Sequence, residues 1–212
     1  MRKILAMAGI ALTSMLFTGS AFAQGAPPPP PAPGASEPAA SGDDDKKIGI
    51  GVEGQFMLPL GDFSDGTGPQ IGPLVRFGYR VIPALELTAR TGYLFGLSKD
   101  QGVGVSTSVS NIPLWLGARY FFMEPYAGLY GAAELAINLM TVHSTVTVLG
   151  QDASASTGLT REGFNLGVGY VISKELPIDI RAQFSMLNLL GKETGETTFI
   201  ALGLSAGYTF QF

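Results

Sequence analysis

Four carboxylates, Glu53, Glu86, Glu134 and Asp179, and four guanidinium groups, Arg76, Arg90, Arg119 and Arg181, stand within alternating segments of the chain. Matched in number and on one parity, they suit a network of buried ion pairs, because a charge removed from water is costly unless a partner replaces the solvent. Other chemistry is thin. Acyl transfer needs an imidazole to take a serine proton while a carboxylate orients the ring, and His143 and Ser144, with Asp152 and Glu162, supply those groups. Adjacent residues on a strand point to opposite faces, so another serine such as Ser154 would have to serve, and His143 reads as an exposed loop histidine. One His and no Cys cannot supply the usual nitrogen and sulfur ligands of a metal. Gly49-Ile50-Gly51-Val52-Glu53-Gly54 matches G-x-G-x-x-G, but the motif needs a strand-to-helix turn and here lies inside an alternating run. No catalytic, cofactor or metal residue is therefore assigned.

The elements that must position the eight charges have a period of two. Along 178–186, Ile178, Ile180, Ala182, Phe184 and Met186 alternate with Asp179, Arg181, Gln183 and Ser185; along 85–96, Leu85 and Leu87 alternate with Glu86, Thr88 and Arg90. Such alternation indicates strands between two different environments. It predicts eight strands, at about 48–58, 71–80, 84–96, 111–122, 126–138, 163–172, 177–187 and 198–212. Links after the second, fourth and sixth are short and hold Pro83, Pro125 and Pro177, whereas 59–70, 97–110, 139–162 and 188–197 are longer and polar. Short turns on one side and long loops on the other predict an all-β, eight-stranded antiparallel up-and-down transmembrane β-barrel.

The two faces distinguish a membrane barrel from a soluble one. One face carries Ile48, Ile50, Val52, Phe56, Leu85, Leu87, Ile112, Leu114, Leu116, Phe164, Leu166, Val168, Ile178, Ile180, Ile200, Leu202 and Leu204 without a charge. That face suits hydrocarbon, where Arg or Lys at the midplane of a barrel costs about 2–4 kcal/mol. The charged face, relieved by Gly49, Gly51, Gly117, Gly167, Gly169, Gly203 and Gly207, then points into the lumen. On the fifth strand, turning Glu134 inward sends Ala127, Leu129, Gly131, Ala133, Leu135 and Ile137 to lipid and Tyr126 inward. Tyr79, Tyr120, Phe122, Tyr170, Tyr208 and Phe210 form one aromatic girdle, and Phe56, Tyr93, Phe95 and Phe184 the other.

The 212 residues are 46% hydrophobic and 14% charged, with 29 Gly, 14 Pro and no Cys. The charged fraction lies well under the roughly 25% of soluble domains, while apolar content is ordinary. This excludes a disordered chain and a disulfide scaffold, and the acidic balance argues against nucleic-acid binding. Arg2-Lys3, an apolar stretch to Phe17 and Ala21-Phe22-Ala23 read as a signal peptide over 1–23; its removal takes the formal charge from −4 to −6. Residues 24–47, with Pro27 to Pro31, Pro33 and Pro38, read as a disordered, semi-rigid tether. Its Asp43-Asp44-Asp45 run lacks the ligand spacing of a calcium loop.

The last segment, Leu204 to Phe212, places aromatic or apolar residues at every second position up to Phe212. It resembles the C-terminal signal of Gram-negative outer-membrane barrels, in which Tyr208, Phe210 and Phe212 would be read by the barrel-assembly machinery. With Asn111-Ile112-Pro113-Leu114, Gly117-Ala118-Arg119-Tyr120-Phe121-Phe122 and Glu124-Pro125-Tyr126-Ala127-Gly128, residues 48–212 resemble the small porin-like outer-membrane β-barrel family of the OmpX and OmpA membrane-domain type. The resemblance implies an outer-membrane protein with both termini periplasmic, surrounded by outer-membrane lipid and lipopolysaccharide. A monomer without cofactor is expected. Three roles stay open: a structural or surface-interaction barrel whose lumen is plugged by the salt-bridge network, a narrow porin-like channel for small solutes or apolar molecules, and, more distantly, a lipid A-modifying barrel enzyme.

Overall fold

The computed structural model describes residues 46–102, 104–123, 126–148, 151–190 and 196–212. The signal peptide and nearly all of the tether lie outside the described residues. Ten strands form one sheet: β1 (Ile48–Leu60), β2 (Gln70–Ile82), β3 (Leu85–Gly92), β4 (Phe95–Gly96), β5 (Lys99–Gly102), β6 (Val105–Phe121), β7 (Gly128–Val148), β8 (Gln151–Val171), β9 (Ile178–Leu190) and β10 (Ile200–Gln211). Eight of them make an antiparallel up-and-down ring, with each long strand hydrogen-bonded to its sequence neighbours and β1 paired to β10. That closing ladder runs unbroken from Gly49–Gln211 to Leu60–Ile200. β4 continues β3 past an irregularity at Tyr93, and β5 adds to the outer part of β6.

Alternation along β1 is complete: Ile48, Ile50, Val52, Phe56 and Leu58 are exposed, while Glu53, Gln55 and Met57 are buried. The same parity holds around the ring, where Leu116, Leu135, Leu166, Ile180 and Leu204 are all at least half exposed to the outside. This outward apolar band, whose one charge among the described residues is Glu162 at its hairpin-side margin beside Ile137, is the surface a spanning barrel presents to hydrocarbon. Tyr79, Tyr120, Phe122, Tyr170, Tyr208 and Phe210 ring the rim where the two ends of the described chain meet, with Phe212 N donating to Ile48 O at 2.8 Å. Tyr120 packs edge-on to Phe122 and Tyr208 to Phe210. Phe56, Tyr93, Phe95 and Phe184 lie outward toward the opposite rim.

Four expectations need correction. The stretch 139–162 is not a loop, because β7 and β8 each run 21 residues and pair from Gly128–Val171 to Val148–Gln151. A membrane strand needs only about 9–11 residues, so this hairpin stands well clear of the band. Its Ser, Thr and Val content suits an extended pleated surface as well as a loop. Likewise 97–110 contains β5 and the start of β6, and 59–70 holds a short helix, α1 (Asp62–Gly66). Finally, Ala127 is buried rather than in lipid: the chain turns sharply with positive φ at Tyr126 (68°) and Gly128 (79°), so strand parity begins only at Gly128.

A charge placed on the outward band should be costly where the same charge on the hairpin is not. Leu135→Arg is expected to destabilise the barrel by about 2–4 kcal/mol and Thr145→Arg to leave it within about 0.5 kcal/mol, read from urea titration of the protein folded in lipid vesicles.

Candidate functional site

All eight inward charges are buried and meet in one network. Arg90, on β3, is the hub: its guanidinium donates to Glu53 Oε2 (2.6 and 3.0 Å), Gln55 Oε1 (3.0 Å), Gln183 Oε1 (3.0 Å) and Glu134 Oε2 (3.4 Å). Arg181 reaches Glu134 Oε1 at 2.7 Å, and Asn165 donates to the same carboxylate. Arg76 bridges Glu53 (2.8 Å), Asp179 and Thr209, and Arg119 joins Asp179 (2.7 Å) to Glu86 (2.9 Å). Tyr130 closes this side by donating to Asp179 Oδ1 at 2.6 Å. Each carboxylate therefore faces at least one guanidinium, the condition under which buried charges become tolerable.

Inward glycines supply the room. A Cβ on Gly169 would fall 2.3 Å from the Tyr130 ring, and one on Gly203 would fall 2.5 Å from Gln183. Tyr130 and Gln183 can therefore lean across the adjoining strand inside the ring only because the residue paired with each has no side chain.

Sequence parity did not bring out Gln55, Tyr130, Asn165 and Gln183 as members of the network, although each shares the inward parity of a charged neighbour. It also missed two apolar layers that enclose the charges. Toward the terminal rim, Phe121, Tyr130 and Val171 form a buried floor, with Tyr126 against Phe121 at 6.0 Å between centroids. The Arg80 guanidinium lies 3.2 Å from the Tyr126 ring centre and donates to Lys46 O at 2.5 Å, while Arg80 N donates to Lys47 O. Toward the hairpin rim, Met57, Leu74, Leu94, Trp115, Met140 and Leu187 form one buried apolar cluster. Trp115 donates to Asn138 Oδ1 at 3.1 Å, and Phe63 of α1 turns into the mouth to stack on Phe199 at 4.6 Å. Eight strands leave a bore that side chains can fill, and here an aromatic, an ionic and an apolar layer lie in it in turn.

Beyond this plug, β6, β7 and β8 continue as a projecting sheet. Its inner face carries Val109, Val142 and Leu159, continuous with the apolar layer; its outer face carries Ser108, His143 and Ser156 in one cross-strand row. His143 thus lies on a strand, and its neighbours are Ser108 and Ser156 rather than Ser154. Asp152 sits further along β8, opposite Thr147, and accepts from its Oγ1 at 2.6 Å, so it is not the carboxylate that would orient this imidazole in an acyl-transfer site. β8 pairs with β9 only from Glu162 onward. From Gln151 to Thr160 its other edge has no paired strand among the described residues. Tyr208, Phe210 and Phe212 point outward at the terminal rim.

No family model matches the chain, and no curated protein matches it. Among solved structures, it is similar to the N-terminal β-barrel domain of Pseudomonas aeruginosa OprF (18% identity, 78% of this chain and 99% of that one, TM-score 0.47). It is also similar to Ail, the attachment invasion locus protein of Yersinia pestis (15% identity, 78% and 97%, TM-score 0.49). Neisserial surface protein A is a third likeness (17% identity, 78% and 97%, TM-score 0.47).

Removing the hub should leave Glu53 with Arg76 alone and Glu134 with Arg181 alone, and the bore with one uncompensated negative charge. Arg90→Met is expected to destabilise the barrel by about 3–5 kcal/mol, and adding Glu53→Gln, which restores the charge balance and leaves Arg76 on Asp179, to recover much of that loss. Fluorescence of Trp115, the one tryptophan and 5.0 Å from the Arg90 guanidinium, reports the unfolding.

Proposed function

We propose that this chain is an outer-membrane barrel of the small porin-like kind whose interior is structural and whose work is done at the cell surface by the β6–β7–β8 hairpin sheet. The observation that supports this is the order of layers inside the ring: an aromatic cluster, an ion-pair network and an apolar cluster. A conducting pore needs a continuous wet path, and hydrated ions do not pass packed Met, Leu and Trp side chains. The unbroken β1–β10 ladder likewise offers no lateral gate at the closing seam.

In this orientation the terminal rim faces the periplasm, with both chain ends on that side, and the long hairpin faces outward. Outer-leaflet lipopolysaccharide and phospholipid surround the apolar band. Tyr208, Phe210 and Phe212 serve as the signal read by the assembly machinery, their rings available on the outer wall. No catalytic role is proposed, because His143 has serines opposite it and no carboxylate beside it.

The reading is tested by planar-bilayer recording of the purified, heat-modifiable barrel. Baseline conductance with rare small events is the expected outcome. Large, steady channels from the wild-type protein would overturn it in favour of a narrow porin.

A further inference from the structure

Among the described residues, the projecting part of β8 is an edge strand without the devices that normally blunt one. Between Gln151 and Thr160 the only charge is Asp152, there is no proline or lysine, and every residue but Leu159 is exposed. Such an edge presents a row of unpaired N–H and C=O groups and templates pairing with another strand. Its inner face is apolar next to the plug, with Leu159 and Val142 against the cluster that fills the mouth. A segment added here must therefore match an alternation of small apolar residues on one face and hydroxyls on the other.

We propose that the occupant is a second copy of the same strand, added antiparallel about a two-fold axis at Ser156. This rests on the surface-barrel reading above. Strand pleat allows only registers that keep like faces together, and residue sizes and ladder length separate those that remain. About Ser156, Leu159 lies opposite the partner's Ala153, Thr157 opposite the partner's Ala155, and Ser154 opposite the partner's Gly158: each larger side chain meets a smaller one. A centre on Thr157 would pair only Ser154 to Thr160, because β9 already holds β8 from Glu162 onward, a shorter ladder than the Asp152 to Thr160 that a centre on Ser156 pairs. A centre on Ala155 would set Gln151 against the partner's Leu159. The edge is thus self-complementary in one register.

Geometry then decides where the partner stands. Two barrels in one membrane run their β8 strands in the same sense, whereas antiparallel pairing needs strands of opposite sense. The two copies therefore belong to facing membranes, tip to base along each other's hairpin, and each barrel remains single within its own bilayer. The consequence is homotypic adhesion between cells.

The axis residue gives the test. Ser156→Lys and Ser156→Glu each place two like charges face to face across the two-fold, on an exposed side chain that the barrel does not need for folding. Light scattering of the full-length barrel in detergent, and sedimentation of cells displaying it, should give pairs and clumps for the wild type. Each variant alone should lose association by tenfold or more, and an equimolar mixture of the two should regain it. Because the chain has no cysteine, Ser156→Cys should form a disulfide dimer on oxidation. Ser154→Cys should cross-link only with Gly158→Cys. A wild type that stays monomeric, a mixture that does not recover, or Ser154→Cys dimers as abundant as Ser156→Cys dimers would overturn the proposal. Capture of a foreign extended peptide by a monomeric wild type would do the same. Any of these results, with the bilayer recordings silent, leaves the surface-barrel reading standing; steady conductance from a protein that still pairs would remove that reading alone.

Discussion

Hydrocarbon offers no partner to a backbone N–H or C=O, so a sheet can cross it only if it leaves no edge. Here the requirement is met by the seam between β1 and β10, which pairs along the whole length of both strands. Closure at eight strands fixes a narrow bore. The bore must then be packed or left void, and packing it from opposite walls brings Arg90, Glu53, Glu134 and Gln183 within hydrogen-bonding reach of one another. The ionic core is thus a consequence of the seam: without closure, those side chains would face water singly.

Replacing buried ion pairs with hydrophobic residues is often neutral or stabilising, so the network needs a reason beyond stability. Partition before folding offers one. Arg76, Arg90, Arg119 and Arg181 keep β2, β3, β6 and β9 too polar to lodge in a bilayer as separate segments, and they become tolerable only when the ring has formed and each faces its carboxylate. The apolar layer at the hairpin rim has no such dependence, and it is the part of the bore that carries no ion pair of the network.

Much of this was legible in residue parity. A period of two separated Ile180 from Arg181 and Leu87 from Glu86, and equal numbers of acids and bases on one parity pointed to a shared interior. Parity also placed Leu94 inward, but an apolar residue on the polar face looks like an exception until Met57, Trp115 and Leu187 from other strands are seen beside it. Register, not pattern, brings them together. The hairpin was missed for a different reason. Beyond the band both faces of β7 and β8 meet water, so nothing forces alternation, and a stretch such as Ser154-Ala155-Ser156-Thr157-Gly158 carries a loop's composition although it pairs as a strand. Tyr126 was placed inward by counting back from Glu134; the true cause is a left-handed turn ahead of β7, which also buries Ala127.

The contact between Arg80 and Lys46 has a mechanical meaning. Arg80 N continues the β1–β2 ladder one step past Ile48–Tyr79 by bonding Lys47 O, and its guanidinium grips Lys46 O while resting on Tyr126. Tension arriving along the chain at Lys46 is therefore delivered in line with β1. Strands loaded this way resist in shear, with the ladders to β2 and β10 bearing the load together, whereas a pull from the side would open bonds one at a time as a zipper does. A pull applied at Lys46 along that axis would be borne by β1 and its two ladders together.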